Sequence, residues 1–274
     1  MTSQRVEVAP GVGLDVRVWP EGDGRAFLLV HGLASNARMW DGVVEELQAL
    51  GHPAATVDQR GHGRSDKPDH GYDMARVADD AAAVVEALGW SRPVVVGQSW
   101  GGNVVIELAH RHPELVAGVV AVDGGTIELA RPFPEWDACA AAMRPPPTTG
   151  TPLADLEQML RGLHPDWPES GIAGMLANWE VRADGTVAPW LTLERHLLIL
   201  RGLWEHHPSA LYASIQVPVL LVPAAGGFAT TDEAVGLLPR GRVRPLAGDH
   251  DLHAQHPAAV AEVLHESATD GFFT

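Results

Sequence analysis

The apolar run Val94-Val95-Val96 passes directly into Gly97-Gln98-Ser99-Trp100-Gly101, and a helical pattern begins near Asn103. A strand, a G-x-S-x-G turn and a helix in that order constrain the fold more than any other stretch, because they make a sharp elbow at the end of a sheet strand. A serine hydroxyl is a weak nucleophile, so a base must be able to reach it at an exposed turn. The flanking glycines suit a strained backbone and a helix packed closely on its strand. The alternative is an ordinary glycine-rich turn whose serine only caps the helix.

Short apolar runs and amphipathic helices alternate through the first half. Strands are predicted at 12–18, 27–30, 54–57, 94–96 and 115–122, and helices at 40–50, 74–88 and 103–110, with Asp73 placed to cap the second helix. This alternation implies an α/β fold with a mostly parallel central sheet and flanking helices. The pattern breaks after Gly125. Residues 126–212 lack obvious buried strands, carry Arg144-Pro145-Pro146-Pro147, and show helical patterns at 153–162, 172–178 and 193–204. They are predicted to form a helical cap inserted into a core of residues 1–125 and 213–274. The sheet pattern resumes at 217–222 and 243–246, a helix follows at 258–265, and the tail after Ser267 is expected to fray.

A chain of 274 residues suffices for one large α/β domain with an insertion. Its net charge of −16 opposes nucleic acid or an anionic membrane as partner. A single cysteine, Cys139, excludes an internal disulfide and a cysteine-based metal cluster, and fits a reducing compartment. The sequence opens Met1-Thr2-Ser3-Gln4-Arg5 with no apolar signal-type run, and no run of 18 apolar residues occurs. The expectation is a cytoplasmic protein without a membrane partner. No H-E-x-x-H spacing or dinucleotide fingerprint is present, so neither metal nor cofactor is predicted. No heptad or interface signature bears on oligomeric state.

Three more motifs accompany the Ser99 turn. His31-Gly32-Leu33-Ala34 follows a predicted buried strand; Asp58-Gln59-Arg60-Gly61-His62-Gly63-Arg64-Ser65-Asp66 follows another; Gly248-Asp249-His250-Asp251 precedes His256-Pro257. In this order the four motifs resemble those of the α/β-hydrolase fold superfamily over nearly the whole chain. The resemblance implies Ser99 as nucleophile, His250 as base, and the backbone N–H groups of Leu33 and Trp100 as oxyanion donors. Among 14 histidines, His250 stands apart from His253 by its place in a loop after the last predicted strand, seven residues before Pro257. His31 and His62 are expected to be structural, and the 58–66 segment to brace a loop rather than bind phosphate. Glu205, His206 and His207 read as a solvated helix end.

The acid departs from the commoner family pattern. Many members carry an aspartate shortly after the strand predicted at 217–222, but here that loop reads Pro223-Ala224-Ala225-Gly226-Gly227-Phe228-Ala229, with the usual position near Gly227. Asp232 is the nearest acid there. Some members instead place the acid at the tip of the preceding strand, where this chain has Asp123, 24 residues after Ser99. Asp123 is the preferred candidate; a turn residue before Gly124-Gly125 is its bland reading.

A serine nucleophile sets the chain apart from the aspartate-using epoxide hydrolases and haloalkane dehalogenases of this fold. The implied reaction is cofactor-independent hydrolysis of a carboxylic ester or lactone through an acyl-enzyme. Trp100, Trp136, Trp179 and Trp190 are the candidate substrate-binding side chains, implying a small, mainly apolar substrate; the alternative is that the tryptophans are cap core. A carbon–carbon bond hydrolase, thioesterase, peptidase or acyltransferase on the same site, or a catalytically weak binding or receptor protein, stays open.

Overall fold

A computed structural model describes residues 1–225 and 230–274. Its strands are β1 (Thr2–Ala9), β2 (Val12–Trp19), β3 (Phe27–Val30), β4 (Ala54–Val57), β5 (Val94–Gln98), β6 (Gly118–Val122), β7 (Trp179–Val181), β8 (Val187–Pro189), β9 (Val219–Val222) and β10 (Gly241–Val243). Its helices are α1 (Asp41–Ala49), α2 (Met74–Leu88), α3 (Trp100–Arg111), α4 (Trp136–Ala142), α5 (Leu153–Leu163), α6 (Glu169–Leu176), α7 (Leu193–Trp204), α8 (Thr231–Leu237), α9 (Leu252–Gln255) and α10 (Pro257–Thr269).

The main sheet has the order β1-β2-β4-β3-β5-β6-β9-β10. Antiparallel pairing is confined to β1 with β2 and β2 with β4; the remaining pairs are parallel. The parallel strands β3, β4, β5, β6 and β9 are buried along their whole length. That is the expected consequence of helices on both faces, and it explains why they read as continuous apolar runs. Successive residues divide between two cores. Leu28, Val30, Val95, Val119 and Ala121 pack with α2 and α3, whereas Phe27, Leu29, Val94, Val96 and Val120 pack with α1 and α10. Helix α2 begins where the Asp73 carboxylate accepts from the Arg76 N–H and ends at Gly89, whose φ of 66° is a left-handed stop.

Between β6 and β9 run α4 to α7 and the β7–β8 pair. Three expectations need correction here. The segment is not wholly helical: Trp179–Val181 pairs antiparallel with Val187–Pro189. His206 is no solvated helix end but is buried, with Nε2 3.2 Å from Glu107 Oε2 and Nδ1 3.1 Å from Asn103 Nδ2. The partners lie on α3, about a hundred residues earlier, beyond the reach of local pattern. The tail does not fray after Ser267. Helix α10 continues to Thr269, and Phe273 is 2% exposed, packed where any side chain at Gly118 would collide with it.

Candidate active site

Ser99 joins β5 directly to α3 with φ 52° and ψ −120°. Its hydroxyl makes no cap bond to the helix, so the capping reading fails. The geometry demands small neighbours: a Cβ on Gly101 would lie 2.5 Å from the carbonyl oxygen of His31 and 2.6 Å from that of Val30. Among the described residues, the other non-glycine residues with positive φ are Ala34, Arg92 and Asp123. Three of these four strained residues therefore cluster at the strand ends around Ser99, at a cost of order 1–3 kcal/mol each that the surrounding packing must hold.

The structure brings Ser99, His250 and Asp123 together. His250 Nε2 lies 2.8 Å from Ser99 Oγ, and His250 Nδ1 lies 2.6 Å from Asp123 Oδ2. Asp123 sits at the tip of β6, is 5% exposed, and receives the Ala224 N–H on Oδ1 at 2.9 Å. Partial desolvation of the His250 ring pulls its pKa down. The bond to Asp123, with the charges of Asp251, Asp123 and Asp249, outweighs this and holds it above the ordinary 6.5. Asp232, the other candidate acid, is an exposed residue of α8. The usual acid position near Gly227 lies outside the described residues.

His253 is not at the site. It is fully buried against Trp40, at 4.4 Å between ring centres, and burial pushes its pKa down to about 3. The loop of Leu33 is built by other histidines. His31 Nε2 accepts from the Gln59 N–H at 3.0 Å, and His62 Nε2 accepts from the Ala34 N–H at 3.2 Å. Both rings are buried, which lowers their pKa values. Asp58 completes the brace by accepting the N–H groups of Ala37 and Arg64, each at 2.8 Å. The N–H groups of Leu33 and Trp100 engage no other group among the described residues. A Cβ on Gly32 would lie 3.2 Å from Ser99 Cβ, so this loop rests directly against the elbow.

Among the four tryptophans, Trp100 is placed differently from expectation. The Trp100 ring does not line an acyl pocket; it is fully buried, donates to Met74 Sδ at 3.2 Å, and packs on His62. The chain direction at the elbow turns it inward. Trp136 meets Trp204 edge to face, and the Arg201 guanidinium lies over its ring. Trp179 and Trp190 line a cleft of about 510 Å³ shared with Arg17, Arg38, Asp58 and Glu180. Ser99, His250 and Asp123 are not among its walls. The sequence pattern points neither to the Ala224 N–H nor to Gln98, whose Nε2 donates to the His250 carbonyl at 3.0 Å. The one available signal was a polar residue ending an otherwise apolar buried strand.

The α/β-hydrolase fold family model matches residues 25–181. The 2-(acetamidomethylene)succinate hydrolase of Mesorhizobium japonicum is 30% identical over 247 residues, 89% of this chain and 84% of the relative. The crystal structure of an E-2-(acetamidomethylene)succinate hydrolase superposes with a TM-score of 0.84 at 26% identity, covering 98% of this chain and 99% of that one. The thioesterase domain from the curacin biosynthetic pathway shares the fold, with a TM-score of 0.79 at 20% identity over 96% and 98% of the two chains.

Proposed function

Because the chain belongs to the α/β-hydrolase fold family, we propose that it is a serine hydrolase acting on a carboxylic ester or lactone of a small molecule. The reading rests on the unbroken line Asp123–His250–Ser99, with contacts of 2.6 and 2.8 Å. The Asp123 carboxylate accepts a hydrogen bond from Nδ1–H, which fixes the tautomer and leaves Nε2 free to take the serine proton. Ser99 Oγ then attacks the acyl carbon. The oxyanion settles between the N–H groups of Leu33 and Trp100, at the positive end of α3. His250 returns the proton to the leaving group, and water releases the acyl-enzyme by the reverse roles.

Residues 126–212 serve as the lid. In support, Trp167 Nε1 donates to Asp249 Oδ2 at 3.1 Å, and Asn36 Nδ2 reaches Asn178 Oδ1 at 2.6 Å. The Trp100 ring beside the nucleophile is buried in the core, so the reading carries no apolar preference. One second reading has specific support: hydrolysis of an acetamide on a carboxylated substrate, after the relative named for 2-(acetamidomethylene)succinate.

The test is hydrolysis of p-nitrophenyl esters from acetate to octanoate by the wild type and Ser99→Ala, beside fluorophosphonate labelling. Ester turnover and labelling that both vanish in Ser99→Ala are expected. A folded wild type that takes the label but turns over only carboxylated acetamides favours the second reading. No label at all overturns both.

A pH profile follows. His250 must be neutral to act as base, so activity is lost as pH falls through its pKa. Because that pKa is held above 6.5, kcat/KM is expected to reach half its plateau above pH 6.5. A midpoint below it contradicts the assignment.

A further inference from the structure

We propose that Gln98 is a positioning residue, an amide that ties the His250 loop to the nucleophile strand and the Gly32 loop; this rests on the serine-hydrolase reading. Gln98 is 2% exposed at the end of β5, covalently beside Ser99. A buried amide in an apolar strand needs a partner, and it has one: Nε2 donates to the His250 carbonyl at 3.0 Å. Its other end faces the Gly32 loop, where a Cβ on Gly32 would lie 2.5 Å from Gln98 Oε1. One side chain therefore touches both loops whose spacing from Ser99 sets the reaction geometry.

His250 needs such an anchor. Its side chain is 48% exposed, on a loop that includes Gly248 at φ 150°. The neighbouring bonds act on Asp249: its N–H donates to Gln255 Oε1 at 2.6 Å, and its carboxylate accepts from Trp167. Gln98 holds the backbone of His250 itself, and from the strand that carries the nucleophile. Losing this bond cuts the tie between the His250 backbone and the strand that carries the nucleophile. A misplacement of about 1 Å at a reacting group costs about 100-fold in rate.

The experiment compares the wild type with Gln98→Met, which keeps length and loses the donor, and Gln98→His, which restores a ring N–H at similar reach. Two readouts are taken: kcat and KM on p-nitrophenyl acetate, and the downfield NMR proton of the short His250–Asp123 bond. In Gln98→Met, kcat is expected to fall by about 10- to 100-fold with KM within about twofold, and the downfield proton to broaden or vanish. Gln98→His is expected to recover much of both. A Gln98→Met protein with wild-type kcat and an unchanged proton signal overturns the proposal, as does a loss that Gln98→His fails to rescue in either readout. If the wild type neither hydrolyses the ester nor takes a fluorophosphonate, yet the proton signal responds to Gln98 as stated, the anchor stands and the hydrolase reading falls.

Discussion

Replacing Asp123 with asparagine is expected to lower kcat by up to about 10⁴-fold while the protein stays folded. The size of the effect follows from which oxygen is already occupied. Asp123 Oδ1 accepts the Ala224 N–H at 2.9 Å, and Oδ2 faces His250 Nδ1 at 2.6 Å. An asparagine keeps its carbonyl oxygen on the Ala224 N–H, because its NH₂ would there oppose another donor. The NH₂ is thereby turned toward His250 and donates to Nδ1. The imidazole proton moves to Nε2, which faces Ser99 Oγ at 2.8 Å and can no longer accept its proton. The substitution removes the base without removing the histidine. Asp232→Asn supplies the contrast: Asp232 is an exposed residue of α8, and its variant is expected to retain kcat near the wild-type level. Steady-state kinetics on one ester, with circular dichroism to confirm folding, separates the two. A fall below about tenfold for Asp123→Asn would falsify the role given to this acid.

The reasons some of this was legible in the sequence are physical. Strands buried on both faces must be apolar throughout, so β3, β4 and β9 stand out as short continuous runs. Ser99 and Asp123 both follow such runs, and an elbow needs its glycines at fixed offsets. Asp123 was legible because the resemblance places some members' acid at that strand tip, while the loop after β9 begins without a carboxylate. What stayed hidden depends on partners far along the chain or on side-chain direction. Strand β1 buries only Val6 and Val8 fully and reads as polar. Strands β7 and β8 have three residues each, too few for a period to emerge. Trp100 adjoins the nucleophile, but adjacency at a sharp turn sends successive side chains opposite ways, and its ring goes into the core. His206 sits in a polar run, and only the fold brings Glu107 to it. Gln98 finds a backbone carbonyl, and a carbonyl leaves no trace in residue identity.

Asp80→Ala is expected to destabilise the protein by about 3–5 kcal/mol, whereas Asp79→Ala, one residue away, costs under about 1 kcal/mol. The two aspartates sit on different faces of α2, Asp80 toward the core and Asp79 toward the surface. Asp80 is 2% exposed and grips Arg60, itself 2% exposed, through two bonds of 2.7 and 2.8 Å; Arg76 adds two more, at 2.6 and 3.0 Å. Removing that carboxylate leaves the Arg60 guanidinium buried without its counter-charge, and the cost is dominated by this orphaned charge rather than by the lost attraction. Asp79 pairs with Arg111 at 3.0 Å where both side chains are about one-third exposed, so water replaces most of what is lost. The contrast also bears on the site. Arg60 anchors the segment in which Asp58 holds the Ala37 N–H and His62 holds the Ala34 N–H. A loosened Arg60 therefore reaches the Leu33 loop, and Asp80→Ala should lose activity at temperatures where Asp79→Ala does not. Equilibrium denaturant unfolding of the two variants measures the difference directly. Equal midpoints would show that Arg60 is not held by its buried partner. A further variant replacing Arg60 and Asp80 together with apolar residues should regain much of the stability, because a buried pair removed whole leaves no charge behind.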